Sequence, residues 1–566
     1  AALPDAGATD GGLDAPLEPD APLEPDAPLE PDAPLEPDAG PPDSGIDAPL
    51  PDAGSDAPWP EGPPVEIIEG IPDPDHIIYE DRGAADPAAG IRGLIVFPLR
   101  NEAELDARLL RIYDPAGPEF RDYLTREEWM ASYAPDALDV EYVTTWLIAQ
   151  GFTVPRTASN RFMLEYQGTV GTFNSTFGVE LRVLDKTVGY PATVYGADRP
   201  PTLPAGIASR IAGIASTDLL VEERALPGEA GSITSTPPPA AELDLAYSPA
   251  RMGRAYEVEP LHRAGFYGEG QTIGVVGAAT FKFRDVQSFW RGFGITRPDP
   301  IVRVVMPPIT TRYLETTLDV EWAAAHATAA ELIVYEGPDV RDTSILYVTN
   351  EAIGLAEADV ITTSFAHRET SKPAFLRWTY HRAAKMAAAL GITVVAAAGN
   401  SGDTDVPGTS WWVTCVGGTE LSTSPAGDVL GEAVWPRTGH GESLTIPAPP
   451  WQIHPAVRRV VNDVALNGGR AYWTYWLGAW TRGWTGTSFA APNLASMVAV
   501  VNSARAARGL PRLGALNPVL YTDPEVQAAF RDVTAGFAGT DAASPGWDVP
   551  SGWGAPRLGA LDAALP

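Results

Sequence analysis

Five short, almost uninterrupted apolar runs between residues 271 and 418 constrain this chain more than any other feature. "QTIGVVGAAT", "AELIVYEG", "DVITTSF", "ITVVAAAG" and "WVTCVGG" are each of strand length, and helical stretches such as "KPAFLRWTYHRAAKMAAALG" (372–391) separate several of them. A strand that is apolar on both faces must be covered on both faces. Alternation with helices then implies a mostly parallel sheet. Residues 244–566 read as one such α/β domain. In sheets of this kind, functional groups gather beyond the carboxyl ends of the strands.

Three segments of different character precede it. Residues 1–64 contain four tandem copies of "DAPLEP" from Asp14 to Pro37, with proline at every third position. Proline blocks helix and strand alike, and the unrelieved negative charge extends the segment, so it reads as a disordered acidic spacer. Residues 65–225 read as an α+β unit. "GLIVFPL" (93–99), "RFMLEYQG" and "VELRVLD" have strand character. "NEAELDARLLRIYD" (101–114) carries Leu105, Leu109 and Ile112 at helical spacing. "LTREEWMASYA" (124–134) opens on a capping box, Thr125 and Glu128, and "VEYVTTWLIAQG" (140–151) ends on a helix-stopping glycine. Residues 226–243, rich in Pro, Gly, Ser and Thr, read as a linker and processing region.

Charge and composition exclude several functions. A formal net charge of −34 argues against nucleic acid, whose backbone needs Lys and Arg. No apolar run reaches the ~20 residues that span a bilayer. The single cysteine, Cys415, permits no intrachain disulfide and no cysteine zinc cluster, and it reads as a small buried hydrophobe. The chain starts at Ala1 without Met, which leads us to expect a secreted or extracytoplasmic protein whose signal peptide has been trimmed.

"GWTGTSFAAP" (483–492) mounts Ser488 where small residues allow a tight turn into a helix. A serine nucleophile needs a base. None of the seven histidines has a His-Gly-Thr setting, and His440 in "GHGES" reads as a loop residue among glycines. "YLETTLDVEWAAAHATAAEL" (313–332) supplies another candidate. It is helix-like, with Leu314, Leu318 and Trp322 as its apolar stripe, and it sets Glu315 and Asp319 four apart on one face. Two carboxyls there coexist by sharing a proton, and the pair can take the place of histidine as base.

With these residues assembled, the chain resembles the sedolisin family of serine-carboxyl peptidases from about residue 90 to its end. "IYDPAGPEFRDYLTREEW" is similar to the family's activation prodomain, of the pro-kumamolisin type. "YSPARMGRAYEVEPLHRAGFYGEGQTIGVVG", "LETTLDVEW", "VTCVGGTE", "TGTSFAAP" and "FRDVTAGFAG…GWDVPSGWG" follow in the family's order. The resemblance implies a subtilisin-like α/β fold and an autoactivating zymogen favoured in acid. It implies an endopeptidase that acts on polypeptides as a monomer and is inhibited by its own prodomain. It implies Ser488 as nucleophile, Glu315 as base and Asp319 as its support. It also implies one structural Ca2+ site, held by the Asp532 and Asp548 carboxylates and the Val533, Ser544 and Gly546 carbonyls, with Ser544 where the family usually has glycine.

Two positions depart from the family pattern. The oxyanion-hole residue is an aspartate in the family, and the matching position in "AAAGNSG" is Asn400. An aspartate must be protonated to donate to an oxyanion, whereas an amide donates at any pH, so activity is expected to reach further toward neutrality. Ala366 in "TTSFAHRE" replaces a usual glycine beside the expected substrate cleft. The aromatic run "YWTYWLGAWTRGW" (472–484) is expected to serve core or interface packing before it lines a cleft. The alternative reading is a catalytically silent binding or surface protein that keeps the fold. A subtilisin-type Asp-His-Ser site fails because "IGVVGAATF" (273–281) lacks the aspartate, and a lipase elbow fails because no glycine follows Ser488 by two.

Overall fold

A computed structural model describes residues 65–66, 79–186, 193–219, 233–234, 246–308 and 314–566. The acidic tail lies outside them except at its border, and so does most of 226–243.

The first sheet has four antiparallel strands: β1 (Gly90–Val96), β2 (Thr153–Thr157), β3 (Met163–Thr169) and β4 (Gly213–Leu219), in the order β2-β3-β1-β4. Its helices include α1 (Glu102–Ile112), α2 (Arg126–Ser132), α3 (Ala137–Ala149) and α4 (Val170–Phe177). Leu105, Leu109 and Ile112 are the buried stripe of α1, and both capping-box bonds of Thr125 and Glu128 form at α2, as their spacing implies. One face of the sheet closes over a core of its own, Ile91 and Ile95 packing with Trp146, Phe173 and Phe177. On the other face Leu94 and Val96, with Leu105 and Trp129, join a core shared with the larger domain.

That domain is built on an eight-stranded sheet. Its strands in chain order are β5 (Thr272–Gly277), β6 (Ile301–Val304), β7 (Glu331–Glu336), β8 (Val360–Thr363), β9 (Thr393–Ala397), β10 (Val413–Thr423), β11 (Val429–Val434) and β12 (Val464–Asn467). The spatial order is β6-β7-β5-β8-β9-β10-β11, with β12 also on β10, and every pairing is parallel except β10 with β11. Alternate residues feed opposite cores. Val275 and Val334 point to the side of α5 (Leu314–Ala323) and α8 (Thr487–Ala507), and Val276 and Ile333 to the side of α6 (Asp342–Leu355) and α7 (Ala374–Ala389). The double coverage read from the apolar strands is therefore present, and each face buries apolar area worth roughly 25 cal/mol per Å2.

The N-terminal sheet docks on α6 and α7. Arg92 donates to Asp339 at 2.8 Å, Lys385 donates to Glu102 at 2.8 Å, and the side chains of Asn160 and Asn350 exchange bonds of 2.9 and 3.1 Å. From the 226–243 stretch, Ile233–Thr234 pairs antiparallel with Thr481 and Trp480 of β14 (Ala479–Trp484), the second strand of a hairpin with β13 (Tyr472–Trp476). Trp473 and Trp480 of this hairpin are core residues, in line with a packing role for the aromatic run.

One expectation is corrected. The helix over 313–332 ends at Ala323. Ser496 Oγ accepts the backbone N–H groups of His326 at 3.0 Å and Ala327 at 2.9 Å, so α8 draws off donors that would have continued the helix.

Candidate active site

α8 begins immediately after Gly486, and Ser488 is its second residue, 7% exposed. The unpaired N–H groups and partial positive charge of a helix start favour developing negative charge there. α5 lies across the carboxyl end of β5, close enough that a Cβ on Gly277 would sit 3.0 Å from Thr316 Cγ2. It meets α8 through Trp322 and Phe489, edge to face at 6.0 Å. This crossing brings Glu315 and Asp319 to Ser488.

The Glu315 carboxyl lies beside the Ser488 hydroxyl, which favours its ionised form, while Glu315 Oε1 is buried without a partner. Asp319 is 1% exposed. Its Oδ1 accepts from Ser364 Oγ at 2.6 Å, and its Oδ2 is buried without a partner. Burial raises the Glu315 carboxyl above the usual carboxylate range, against the opposing influence of Ser488. Burial raises Asp319 well above it, and the neighbouring Glu315 charge adds to the effect. A pair in this state shares a proton between its two carboxyls.

Asn400 follows β9 at its carboxyl end. The Thr487 N–H donates to Asn400 Oδ1 at 2.8 Å and the Thr487 hydroxyl donates to it at 3.1 Å, while the Gly399 N–H donates to Thr487 Oγ1 at 3.0 Å. Because a backbone N–H can only donate, the amide oxygen is fixed toward Thr487, and Nδ2 is left to donate elsewhere. A Cβ on Gly486 would fall 3.1 Å from that Nδ2, so the residue before the helix must be small for the amide to lie beside Ser488. Ala366 faces the same turn, its Cβ 3.7 Å from where a Gly399 Cβ would be.

The His440 ring contacts the Thr438 carbonyl at 3.1 Å and the Asp541 carboxylate at 3.3 Å, and so has the surroundings of a loop residue. Cys415 is buried, its Sγ donating to Asn462 Oδ1 at 3.4 Å.

The C-terminal loops bring together the five residues named for a cation. The Gly546 N–H donates to Asp532 Oδ2 and the Ser544 N–H to Asp548 Oδ2, both at 2.8 Å, and Val533 is buried beside them. Burial raises the Asp548 carboxyl, and the Asp532 charge adds to it. Two neighbouring carboxylates suit the oxygen preference of a hard divalent cation. Among the described residues, no group of three or more His, Cys, Asp or Glu side chains could hold a metal, so any site here draws on carbonyls.

Ser364 and Thr487 escaped the sequence reading. Ser364 closes an apolar strand with a polar residue, which is a weak signal, and Thr487 is hidden inside the "GTS" that drew attention to Ser488.

Comparison with known proteins gives concordant matches. Residues 79–220 match the Pro-kumamolisin activation domain, and residues 317–554 match the Subtilase family. Kumamolisin of Bacillus sp. (strain MN-32) is 30% identical over 538 residues, covering 86% of this chain and 94% of that protein. Tripeptidyl-peptidase 1 of Bos taurus is 26% identical over 549 residues, covering 85% and 92%. Among solved structures, Pseudomonas sedolisin, a serine-carboxyl proteinase complexed with two molecules of pseudo-iodotyrostatin, aligns with a TM-score of 0.50 at 23% identity, covering 56% of this chain and 97% of that one.

Proposed function

The chain belongs to the sedolisin family of serine-carboxyl peptidases, and on that premise we propose that it is an acid-active endopeptidase in which Ser488, Glu315, Asp319 and Asn400 carry the chemistry. It is a hydrolase made as a zymogen, with an activation domain ahead of a subtilase-fold domain. The observation that carries the residue assignment is the meeting of Ser488 with the buried carboxyl pair, Ser364 Oγ reaching both Asp319 Oδ1 and Ser488 O while Glu315 Oε1 and Asp319 Oδ2 stay buried and unpartnered.

In the proposed cycle, Ser488 Oγ attacks the scissile carbonyl carbon and Glu315 accepts the hydroxyl proton. Asp319 keeps the shared proton and, tied to Ser364, holds Glu315 in line. Asn400 Nδ2 and the Ser488 N–H receive the oxyanion. Glu315 returns its proton to the leaving amine, which yields an acyl-enzyme on Ser488. Water, deprotonated by the same carboxylate, then releases the acid and restores the hydroxyl.

The activation domain acts as intramolecular inhibitor until the chain is cut between the two domains. The contacts of Arg92 with Asp339 and of Glu102 with Lys385 support a tightly docked precursor. Asp532 and Asp548, with the Val533, Ser544 and Gly546 carbonyls, would hold one Ca2+, which would supply charge neutralisation to the C-terminal loops. Secretion belongs to the same proposal, and no described helix is long and apolar enough to cross a membrane.

The test is incubation of the full purified chain from about pH 3 to about pH 7 with a peptide substrate. Loss of the N-terminal part and peptide hydrolysis are expected, and both should vanish in Ser488→Ala. Hydrolysis that survives the substitution would exclude Ser488 as nucleophile.

A further inference from the structure

We propose that Asn462 is a positioning residue that couples the Asp548 loop to the Asn400 turn, so that a cation at the loop governs turnover as well as stability. The inference rests on the role proposed for Asn400 and names what holds that residue in place.

Asn462 is fully buried and fully used. Its backbone N–H donates to Val549 O at 3.0 Å. Its Nδ2 donates to Pro550 O at 3.0 Å and to Gly439 O at 2.8 Å, and its Oδ1 accepts from Cys415 Sγ. A Cβ on Gly417 would stand 2.5 Å from Nδ2, so the amide has no room to turn. One residue therefore bridges the two segments directly.

The Gly439 side of the bridge is a clamp on the oxyanion turn. The Gly439 N–H donates to Gly399 O at 2.9 Å, the Gly402 N–H to Arg437 O at 3.2 Å and the His440 N–H to Asp403 O at 3.1 Å. Arg437 Nε donates to Asn400 O at 3.3 Å. Residues 437–440 thus grip the turn over 399–403 along its length, and Gly439 sits so close to the Ala398 carbonyl that a side chain there would collide with it.

The other side of the bridge is the candidate cation loop. Val549 and Pro550 directly follow Asp548, whose carboxylate collects the Ser544 N–H, the Ser551 N–H and the Ser551 hydroxyl at 2.8, 2.8 and 2.6 Å. With their charge neutralised, Asp532 and Asp548 draw together. Without it they repel, and Val549 and Pro550 move with Asp548. Asn462 carries that displacement to Gly439 and so to Asn400. Catalytic donors tolerate little displacement, since an error of about 1 Å can cost on the order of 100-fold in rate.

The experiment uses the matured full chain, Asn462→Ala, Asn462→Asp and, at an exposed position on the clamp, Arg437→Ala. For each, kcat, KM, affinity for a peptide aldehyde and Tm are read in calcium chloride and in chelator. Asn462→Ala should lower kcat roughly 10- to 100-fold, the range of a misplaced oxyanion donor, with KM within about threefold. Affinity for the aldehyde, which forms the same oxyanion, should fall with kcat. Asn462→Asp should behave alike, because it keeps the shape and loses both donors. Calcium should still raise Tm in these variants and no longer change kcat, whereas chelation should lower kcat in the unmodified chain below its unfolding temperature. Arg437→Ala should give a smaller, parallel fall in kcat and aldehyde affinity, and it carries the test if Asn462→Ala does not fold. The coupling is overturned if folded Asn462→Ala keeps kcat within twofold. It is overturned equally if calcium leaves the kcat of the unmodified chain unchanged, or if Arg437→Ala has no effect. An unmodified chain that hydrolyses nothing overturns the peptidase assignment itself, which is a different result.

Discussion

Two of the acidic sites buried in the large domain are built in opposite ways. Asp463 accepts from Arg459 at 2.7 and 2.6 Å, from the Cys415 N–H at 2.8 Å and from the Tyr521 hydroxyl at 2.8 Å, so both of its oxygens are satisfied and its charge is matched. Among the described residues the Glu315–Asp319 pair has no cation, and each carboxyl keeps one buried oxygen without a partner. Burial without compensation costs several kcal/mol, and a fold keeps such groups where something other than stability selects them. The first site holds strands together. The second is the pair proposed to move a proton.

Neutralising one member of each pair separates the two roles most sharply. Glu315→Gln should lower kcat/KM about ten-thousand-fold, the scale of losing a triad member, while Tm at neutral pH is unchanged or higher because a strained acid is gone. Asp463→Asn should do the reverse. It leaves Arg459, 1% exposed, without its countercharge and should cost about 3–5 kcal/mol, enough to prevent recovery of folded chain. Kinetics and thermal melts on both variants decide. A Glu315→Gln enzyme that turns over normally, or an Asp463→Asn protein that melts like the parent, would erase the contrast.

The next effect is on pH. On the role proposed for Asn400, which donates without a titrating proton, the pH limits of activity belong to the Glu315–Asp319 pair, and the oxyanion donor imposes no alkaline limb of its own. Asn400→Asp reintroduces one. That carboxyl donates only while protonated, so its contribution is present in acid and lost as pH rises through its pKa. Near neutrality kcat should fall roughly 100- to 1,000-fold, the cost of one oxyanion donor, and in acid it should recover most of the loss. A pH–kcat profile identical to that of the parent would show that residue 400 does not touch the oxyanion.

How much of this was legible beforehand follows from the distance between partners. The strands and most helices could be read because apolar periodicity is local, and Glu315 and Asp319 because four residues make one helical turn. Helix α5 was read too long because what ends it, Ser496, lies about 170 residues away. Ser364, Thr487 and Asn462 act only through residues remote in sequence, so no local pattern marks them. Arg459 and Asp463 even mislead, since a basic and an acidic residue four apart suggest a solvated helix face, whereas here Arg459 lies in a strand, Arg458–Val461, and Asp463 directly precedes β12.

Glu336 stands between the two kinds of site and gives the smallest expected effect. It ends β7 on the α5 side of the sheet, 3% exposed, without a hydrogen-bond or ion-pair partner among the described residues, and burial pushes its carboxyl up to about 7. A carboxyl raised above its unfolded value favours the fold while protonated. Its stabilising contribution is complete below about pH 4 and is lost as pH climbs through about 7. Glu336→Gln removes that loss. At pH 8 the variant should be more stable by about 2 kcal/mol, which for a chain of this length is a rise of roughly 2 °C in Tm. At pH 4 the two proteins should melt together. A solitary unpaired acid that serves only the fold predicts unchanged kcat alongside this shift, unlike Glu315. An equal difference in Tm at both pH values would mean that amide packing, and not titration of Glu336, sets its contribution.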